Sequence, residues 1–276
     1  MMKLTKINDI SCKKINLPKI DSKTIKGYDI LNDKLYPNIF CVGKSGSGKT
    51  SLLFEFIKNV IDKNTKVYFF VATFFNDDSY DVIRDYLDKK EIEYEGYEEI
   101  GNVIKDFSKE REEFMKREKM NKKEDVESIE PLTMSEAIKI IFEGENVKIR
   151  VKKPKKLTPK YLFVFDDMSS DLRKKDVTIF MKNRRHYKTC NWIASQNVMD
   201  LDGHARANLN IMILFEGITL EKLLQFYESA NLWVDFDVFK SVYDFATTNE
   251  IGEHNFLFIN KDIREFRRNF NNKISF

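Results

Sequence analysis

Short apolar runs alternate with longer, more polar segments along the chain. Six such runs of five to seven residues are bounded by polar residues: 38–42, 66–72, 161–165, 191–195, 210–215 and 255–259. Runs of this length and character are typical of strands buried on both faces of a parallel sheet. Segments of helical length separate them, and the region from Leu220 to Ala246 before the last run has a helical pattern. The pattern therefore predicts an α/β fold, with a mostly parallel sheet flanked by helices and joined by right-handed crossovers.

Two segments depart from this alternation. Residues 1–35 are polar, rich in Lys and interrupted by Pro18, which predicts an N-terminal arm, extended or forming edge strands, beside a single domain at 36–276. About 85 residues lie between Phe75 and Lys160, more than one crossover requires, so we expect an insertion at about 76–160 on the sheet edge. Within it, residues 105–130 are almost all Lys, Arg and Glu, which favours a solvated charged helix or helical hairpin over a specific binding element.

The composition permits a large core and gives little direct information on partners. The chain has 276 residues, of which 42% are hydrophobic and 13% aromatic, and this excludes disorder of the whole. Its net charge is only +3 although 33% of the residues are charged, so binding to a polyanion would require local clusters of basic residues. Three scattered cysteines without a C-x-x-C pair suit a reducing compartment. Because the longest apolar run is too short for a membrane span, we expect a soluble intracellular protein without a transmembrane segment.

A complete G-x-x-x-x-G-K-[ST] pattern, the Walker A motif, follows the first predicted strand and precedes a helix-like stretch at 51–57. In that setting the glycines let backbone N–H groups turn toward a phosphate, and the helix directs its positive end to the same anion. Lys49 is expected to reach the β- and γ-phosphates of ATP, and the Thr50 hydroxyl to bind Mg²⁺. The predicted nucleotide-binding residues are Gly43, Lys44, Ser45, Gly46, Ser47, Gly48, Lys49, Thr50 and Ser51.

Polar residues follow two later strands at the points where a hydrolytic site would need them. The run 161–165 ends in Asp166 and Asp167, a Walker B pattern in which the first carboxylate would hold Mg²⁺ and the second would orient or deprotonate a water. Gln196 ends the next run, and the carboxyl ends of parallel strands face the ligand crevice. Its amide could report the γ-phosphate. Taken alone, each is also consistent with an ordinary polar turn.

The order and spacing of these motifs resemble the FtsK/HerA superfamily of ring-forming, DNA-pumping P-loop ATPases. Within it, the chain is most similar to the poxvirus-type genome-packaging ATPases of large double-stranded DNA viruses and virophages. Residues 43–50, 163–167 and 184–196 carry the resemblance, which extends over about 36–270. In the superfamily an arginine precedes a strand-ending glutamine by eleven positions, and Arg185 and Gln196 have that interval. A RecA-like fold is the fold that the resemblance implies.

The resemblance also implies roles for individual residues. Lys49 would bind the phosphates, Thr50 and Asp166 would act on Mg²⁺, and Asp167 on the catalytic water. Gln196 would act as a sensor that bonds to the γ-phosphate or to the attacking water. Arg185 would be an arginine finger offered to the ATP of a neighbouring subunit in a homo-oligomeric ring. The superfamily often has glycine where Arg184 stands and glutamate where Asp167 stands, so the choice between Arg184 and Arg185 stays open at this point.

Two basic clusters offer phosphate contacts to double-stranded DNA without reading its sequence. The first, residues 147–160, contains seven Lys or Arg and no acidic residue, and a solvated basic loop is an equal interpretation. The second comprises Arg173, Lys174, Lys175 and Lys182. The function that the resemblance implies is an ATP-driven double-stranded DNA translocase that packages a viral genome. We expect it in the host cytoplasm or a viral factory, or associated with the virion, where a capsid or membrane protein would anchor it.

Other functions are compatible with parts of the sequence. A cellular HerA-like translocase or helicase is the nearest alternative. A GTPase would require an Asn-Lys-x-Asp motif, and residues 260–262 are one residue too short for it. A small-molecule kinase lacks an evident acceptor pocket. A module that only binds ATP is disfavoured because Asp166, Asp167, Gln196 and Arg185 are all present. His186, His204 and His254 show no metal-ligand spacing and are interpreted as structural.

Overall fold

The computed structural model describes residues 24–127, 156–248 and 254–275, with the side chains of 119–127 excepted. The predictions for residues 1–23 and for most of the basic cluster at 147–160 lie outside these ranges. Of that cluster, Lys156 and Lys160 are described, and both are exposed. No helix of the described ranges is long and apolar enough to cross a lipid bilayer.

A single sheet of nine strands organises the described residues, in the order β3-β2-β4-β5-β1-β6-β7-β8-β9. The strands are β1 (Asn38–Val42), β2 (Lys66–Val71), β3 (Tyr94–Tyr97), β4 (Tyr161–Asp166), β5 (Thr189–Ser195), β6 (Ile211–Phe215), β7 (Phe256–Asn260), β8 (Glu265–Arg268) and β9 (Asn272–Ile274). β1 to β6 pair in parallel, whereas β7, β8 and β9 extend the sheet in antiparallel fashion.

Eight helices accompany the sheet within the same ranges: α1 (Tyr28–Leu31), α2 (Lys49–Val60), α3 (Asp78–Lys89), α4 (Val103–Glu127), α5 (Lys175–Tyr187), α6 (Gly203–Ala207), α7 (Leu220–Ala230) and α8 (Phe236–Thr247). They supply the side chains that cover both faces of the sheet. The predicted fold class, a mostly parallel α/β sheet flanked by helices, is therefore confirmed.

Two apolar clusters, one on each face of the sheet, form the core. Neighbouring residues of β1 alternate between them: Phe40 and Val42 belong to one cluster, Ile39 and Cys41 to the other. Every residue of β1, β5, β6 and β7 is buried. This two-sided burial is the reason why the central strands have continuous apolar sequences.

Each of the six predicted strands is present, but β3, β8 and β9 were not predicted. β3 has the sequence Tyr-Glu-Gly-Tyr, and all four of its residues are only half-buried. β8 and β9 are short, and β9 forms an edge of the sheet. Such strands bury too little apolar surface to leave a continuous hydrophobic run.

The segment predicted as an insertion begins as a regular continuation of the sheet. After β2, helix α3 leads to β3, which pairs in parallel with β2 as an edge strand. The charged stretch beyond it is helical, as expected: α4 spans 25 residues and packs against α5. Residues 24–35, placed in the predicted arm, include Ile25 and Leu31, which are buried in the core. The boundaries of the arm and the insertion stay predictions.

Asparagine side chains join the amino ends of the central strands. The Asn38 amide nitrogen donates hydrogen bonds to the carbonyls of Met181 (3.1 Å) and Asn208 (3.0 Å). Asn191 donates to the Asn38 side-chain oxygen at 2.7 Å, and the Asn38 backbone N–H donates to the Asn210 side chain at 2.9 Å. Asn38 and Asn191 are fully buried and give up their hydrogen bonds to water when the chain folds, so these internal bonds take the place of bonds to water.

We expect Asn38→Ala to lower the free energy of unfolding by about 2–4 kcal/mol, because the carbonyls of Met181 and Asn208 and the Asn191 amide would each lose a hydrogen bond. Urea denaturation followed by circular dichroism measures the change. Asn59→Ala is the matched control, since Asn59 is exposed and bonds only one carbonyl, that of Glu55, on its own helix. Equal stabilities of the two variants would contradict a structural role for the buried asparagines.

Candidate nucleotide site

The loop between β1 and α2 has a backbone path that requires glycine at three positions. Gly46 and Gly48 have φ angles of +76° and +95°, in the left-handed region that L side chains rarely adopt. A Cβ atom on Gly43 would lie 2.4 Å from Ser47 Oγ and 2.9 Å from Phe215 Cβ. The loop is therefore curled as tightly as a phosphate-binding loop must be.

Two sources of positive potential converge on the concave side of this loop. The side chain of Lys49 is buried, and its Nζ donates hydrogen bonds to the carbonyls of Gly43 (2.8 Å) and Lys44 (3.2 Å). The amino end of α2 starts at the same point, and no side chain caps it. Unpaired N–H groups at a helix start, together with a lysine ammonium, make this loop an anion site.

A cavity of about 690 Å³ opens in front of the loop. Its volume is in the range of small-molecule and cofactor sites. Lys44 lines an adjoining cavity, and Gly43 lies with Gln196 at a smaller one. The other predicted nucleotide-binding residues, from Ser45 to Ser51, line the main cavity, together with Asp77, Tyr80, Asp166, Asp167, His254 and others.

Asp166 is a buried carboxylate at the end of β4. It is 7% exposed, and the Tyr80 hydroxyl donates a 2.5 Å hydrogen bond to its Oδ2. Burial raises the pKa of Asp166 to about 6, and the negative charge of Asp167 acts in the same direction, whereas the hydrogen bond from Tyr80 and the charge of Lys49 lower it. A carboxylate desolvated in this way is stabilised by a nearby cation.

Asp167 and Gln196 are in contact. The Gln196 Nε2 donates a 3.0 Å hydrogen bond to Asp167 Oδ2, and both side chains are exposed. Asp167 has a φ of +53°, which turns the chain sharply as β4 ends, and its N–H donates to the carbonyl of Ala194. Aspartate tolerates the left-handed region better than most residues. The pair thus joins the main cavity, which Asp167 lines, to the smaller cavity, which Gln196 lines.

The strand order explains why these residues meet. β5 lies between β1 and β4, so Gln196 stands between the phosphate loop and the aspartate pair. Ala194 of β5 pairs with Cys41 of β1 on one side and with Asp166 of β4 on the other. The three strands therefore end at one level.

Thr50 and Asp166 fit a magnesium ion that is shared with a nucleotide. Both residues line the main cavity and offer a hydroxyl and a carboxylate, the hard oxygen ligands that Mg²⁺ prefers. Among the described residues, no group of three or more His, Cys, Asp or Glu forms a complete metal site. A donor set of this kind needs phosphate oxygens and water to complete an octahedron, as is usual for Mg²⁺ in nucleotide sites.

Arg184 and Arg185 differ in environment although they are neighbours. Arg184 is buried, and its Nε donates a 2.9 Å hydrogen bond to the carbonyl of Tyr36. Burial lowers the pKa of its guanidinium. Arg185 is exposed, and within the described ranges no hydrogen bond or ion pair involves its side chain. The structure assigns Arg184 to the support of the chain before β1.

Helix α5 carries Arg185 away from the cavity. The helix starts after the loop that follows Asp167 and ends where β5 begins, so it runs back along the sheet. Its 13 residues correspond to about 20 Å at 1.5 Å per residue. Arg185 therefore lies near the opposite edge of the sheet from the phosphate loop of its own chain.

Three residues at the site were not predicted to be there. Tyr80 belongs to the amphipathic helix α3 and has no sequence signal beyond its helical spacing. His254 was interpreted as structural because it shows no metal-ligand spacing. It lies beside the phosphate loop: a Cβ atom built on Gly48 would be 3.9 Å from the Cβ of His254. Asp200 accepts hydrogen bonds from Ser169 (2.7 Å) and Ser195 and so fixes the loop that follows Gln196.

Several solved structures align with the chain at low sequence identity. The sulfate complex of the genome packaging NTPase B204 from Sulfolobus turreted icosahedral virus 2 aligns with a TM-score of 0.50 and 11% identity, over 85% of this chain and 96% of that chain. Its AMP complex aligns with a TM-score of 0.49 and 10% identity, over 85% and 97%. The cytoplasmic domain of the type VII secretion ATPase EccC from Thermomonospora curvata aligns with a TM-score of 0.44 and 15% identity, over 81% of this chain and 24% of that chain.

The first of these alignments confirms the fold that the FtsK/HerA resemblance implies, and at such identity it concerns the fold alone. No protein-family model and no curated protein sequence matches the chain.

The two arginines give a direct test of their assignment. We expect Arg184→Ala to lower the free energy of unfolding by about 1–3 kcal/mol, because the Tyr36 carbonyl loses its charged partner. Arg185→Ala, the matched variant one position along the helix, should change it by less than about 0.5 kcal/mol, as is usual at exposed positions. Urea denaturation of both proteins measures the difference. The assignment is wrong if Arg185→Ala is the more destabilising of the two.

Proposed function

We propose that this chain is a Mg²⁺-dependent ATPase which, in a homo-oligomeric ring, moves double-stranded DNA to package a viral genome. One observation carries the proposal. An anion-binding loop, a buried carboxylate and an exposed Asp–Gln pair meet at the carboxyl ends of β1, β4 and β5.

The arrangement is suited to hydrolysis as well as to binding. Lys49 and the start of α2 would neutralise the phosphates, and Thr50 and Asp166 would hold the metal that supplies charge stabilisation on the β- and γ-phosphoryl oxygens. Asp167 lines the main cavity and Gln196 a smaller cavity, and because both side chains are exposed a water can reach both. A carboxylate and an amide in contact can orient such a water toward the γ-phosphate.

The geometry disfavours the GTPase alternative. Asn260 pairs with Ile211 at the amino end of β6, at the edge of the sheet away from the phosphate loop. Lys261 donates to the carbonyls of Ala207 and Ala230, and the Asp262 N–H donates to the Asn260 side chain. These residues are engaged in a turn at the edge opposite to the loop, too far away to recognise a guanine base.

The position of Arg185 supports a ring. Arg185 is exposed at the end of the sheet opposite to the phosphate loop of its own chain, so we expect it to complete an ATP site of a neighbouring subunit. A trans arginine makes hydrolysis depend on assembly, since the planar cation stabilises charge on the transferring phosphoryl group.

DNA as the substrate is supported by surface charge and by fold. Three exposed basic residues follow the aspartate pair on the side of the nucleotide cavity. Arg173 and Lys174 lie in the loop before α5, and Lys175 begins the helix. Such groups suit sequence-independent phosphate contacts. The genome packaging NTPase from the archaeal virus has a similar fold. We extend the proposal to an action in the host cytoplasm, a viral factory or the virion, with a capsid or membrane protein as anchor.

Steady-state ATP hydrolysis, measured with and without double-stranded DNA across protein concentration, tests the proposal. We expect DNA to stimulate hydrolysis, with a rate that rises more steeply than the protein concentration because rings must assemble. Arg185→Ala should lower kcat by about 10³-fold or more, and mixed into wild type it should inhibit more than in proportion to its fraction.

His186→Ala is the matched control, because His186 is the exposed neighbour of Arg185 on α5. It should behave as wild type. Hydrolysis that is linear in protein, indifferent to DNA and unaffected by Arg185→Ala would overturn the ring-motor proposal and leave only nucleotide hydrolysis.

The Asp–Gln pair makes a separate prediction. We expect Gln196→Ala to lower kcat by about 10²-fold while ATP affinity stays within a factor of about three, since the amide would act on the water and not on bound nucleotide. Gln225→Ala, which removes an exposed amide on α7, is the control and should have no effect. A loss of ATP affinity with unchanged kcat would instead place Gln196 in nucleotide binding.

A further inference from the structure

Tyr80 is a buried polar residue that the proposed chemistry does not use. It lies in the first turn of α3, is 1% exposed and contributes to the wall of the main cavity. Its hydroxyl donates the 2.5 Å hydrogen bond to Asp166 Oδ2. Two side chains from distant parts of the chain, both buried, are thus joined at the expected metal site.

The surroundings of Tyr80 hold its ring in place. The ring centroid lies 5.5 Å from that of Phe74 and 6.0 Å from that of Phe69. The Asp77 side chain accepts a 2.8 Å hydrogen bond from the Ser79 N–H and so caps the turn that carries Tyr80. Because both the ring and the backbone are constrained, the hydroxyl has little freedom to leave Asp166.

A hydroxyl is a chemically informative partner for this carboxylate. A lysine or arginine in the same place would neutralise Asp166 and compete with a metal cation for it. The neutral tyrosine hydroxyl orients the carboxylate and leaves its negative charge in place. The hydrogen bond engages Oδ2, whereas no hydrogen bond between described residues engages Oδ1, so this oxygen is available to a cation.

We propose that Tyr80 is a positioning residue, which fixes the Asp166 carboxylate in the orientation that binds the Mg²⁺ of a Mg²⁺–nucleotide complex. This inference rests on the proposed function, because it assumes that Asp166 acts toward Mg²⁺. Outer partners of metal-binding carboxylates commonly change metal affinity by 10- to 100-fold when they are removed. By this reasoning the helix after β2, which the sequence offered only as part of an insertion, belongs to the nucleotide site.

The test compares Tyr80→Phe with Tyr94→Phe. Tyr80→Phe removes only the hydroxyl and keeps the ring against Phe69 and Phe74. Tyr94 is a matched control. Its ring centroid lies 6.4 Å from that of Phe69 and 6.3 Å from that of Phe74. Its hydroxyl also donates a hydrogen bond to an aspartate, at 3.4 Å to Asp88, away from the cavity. Thermal denaturation of both variants checks that each is folded.

Two measurements give the readout. The first titrates a fluorescent, non-hydrolysable ATP analogue with and without Mg²⁺. The second measures Mn²⁺ binding by electron paramagnetic resonance in the presence of the analogue. For Tyr80→Phe we expect the metal affinity to fall by about 10- to 100-fold, while metal-free analogue affinity stays unchanged. Tyr94→Phe should bind both as wild type. In Tyr80→Phe/Asp166→Asn the loss should equal that of Asp166→Asn alone, since Tyr80 acts through Asp166.

The outcomes separate the two levels of the proposal. If wild type shows metal-dependent analogue binding and Tyr80→Phe retains it in full, Tyr80 is only a core residue and the inference is wrong. Additive losses in the double variant would also overturn it, because Tyr80 would then act independently of Asp166. If wild type itself shows no metal-dependent analogue binding, the proposed function fails, and the inference with it.

Discussion

Parallel pairing of β1, β5 and β4 is the constraint on which the rest of the structure depends. Backbone hydrogen bonds set Ala194 level with Cys41 on one side and with Asp166 on the other. The carboxyl ends of the three strands therefore lie side by side, and the residues that follow them are close together. The site is a consequence of register, because a slip of one residue in β4 would exchange the buried Asp166 with the exposed Asp167.

Sequence alone was sufficient where burial or backbone geometry leaves a strong pattern. The central strands are buried on both faces and so are continuously apolar, and the phosphate loop needs glycine at Gly43, Gly46 and Gly48 for steric reasons. The edge strands were missed because a half-buried strand tolerates almost any residue. Tyr80 was missed for a different reason: its contact with Asp166 joins residues 86 positions apart, and no local pattern encodes that.

The two carboxylates of the site show how the environment separates chemically equal groups. Asp166 is desolvated and held by a neutral hydroxyl, so its charge is costly until a cation approaches. Asp167, one residue further, has left the strand through a left-handed turn and meets solvent and the Gln196 amide. Burial thus suits the first to a metal ion and exposure suits the second to a water, although the sequence shows only two adjacent aspartates.

The adjacent arginines follow the same logic on a helix. Successive residues of an α-helix point about 100° apart, so Arg184 and Arg185 cannot both face the core. The helix turns Arg184 toward the Tyr36 carbonyl, where its charge is used to hold the chain that leads into β1. Arg185 is left on the surface, at the edge of the sheet away from its own cavity. In the ring that we propose, this exposed guanidinium would serve the nucleotide site of a neighbouring chain.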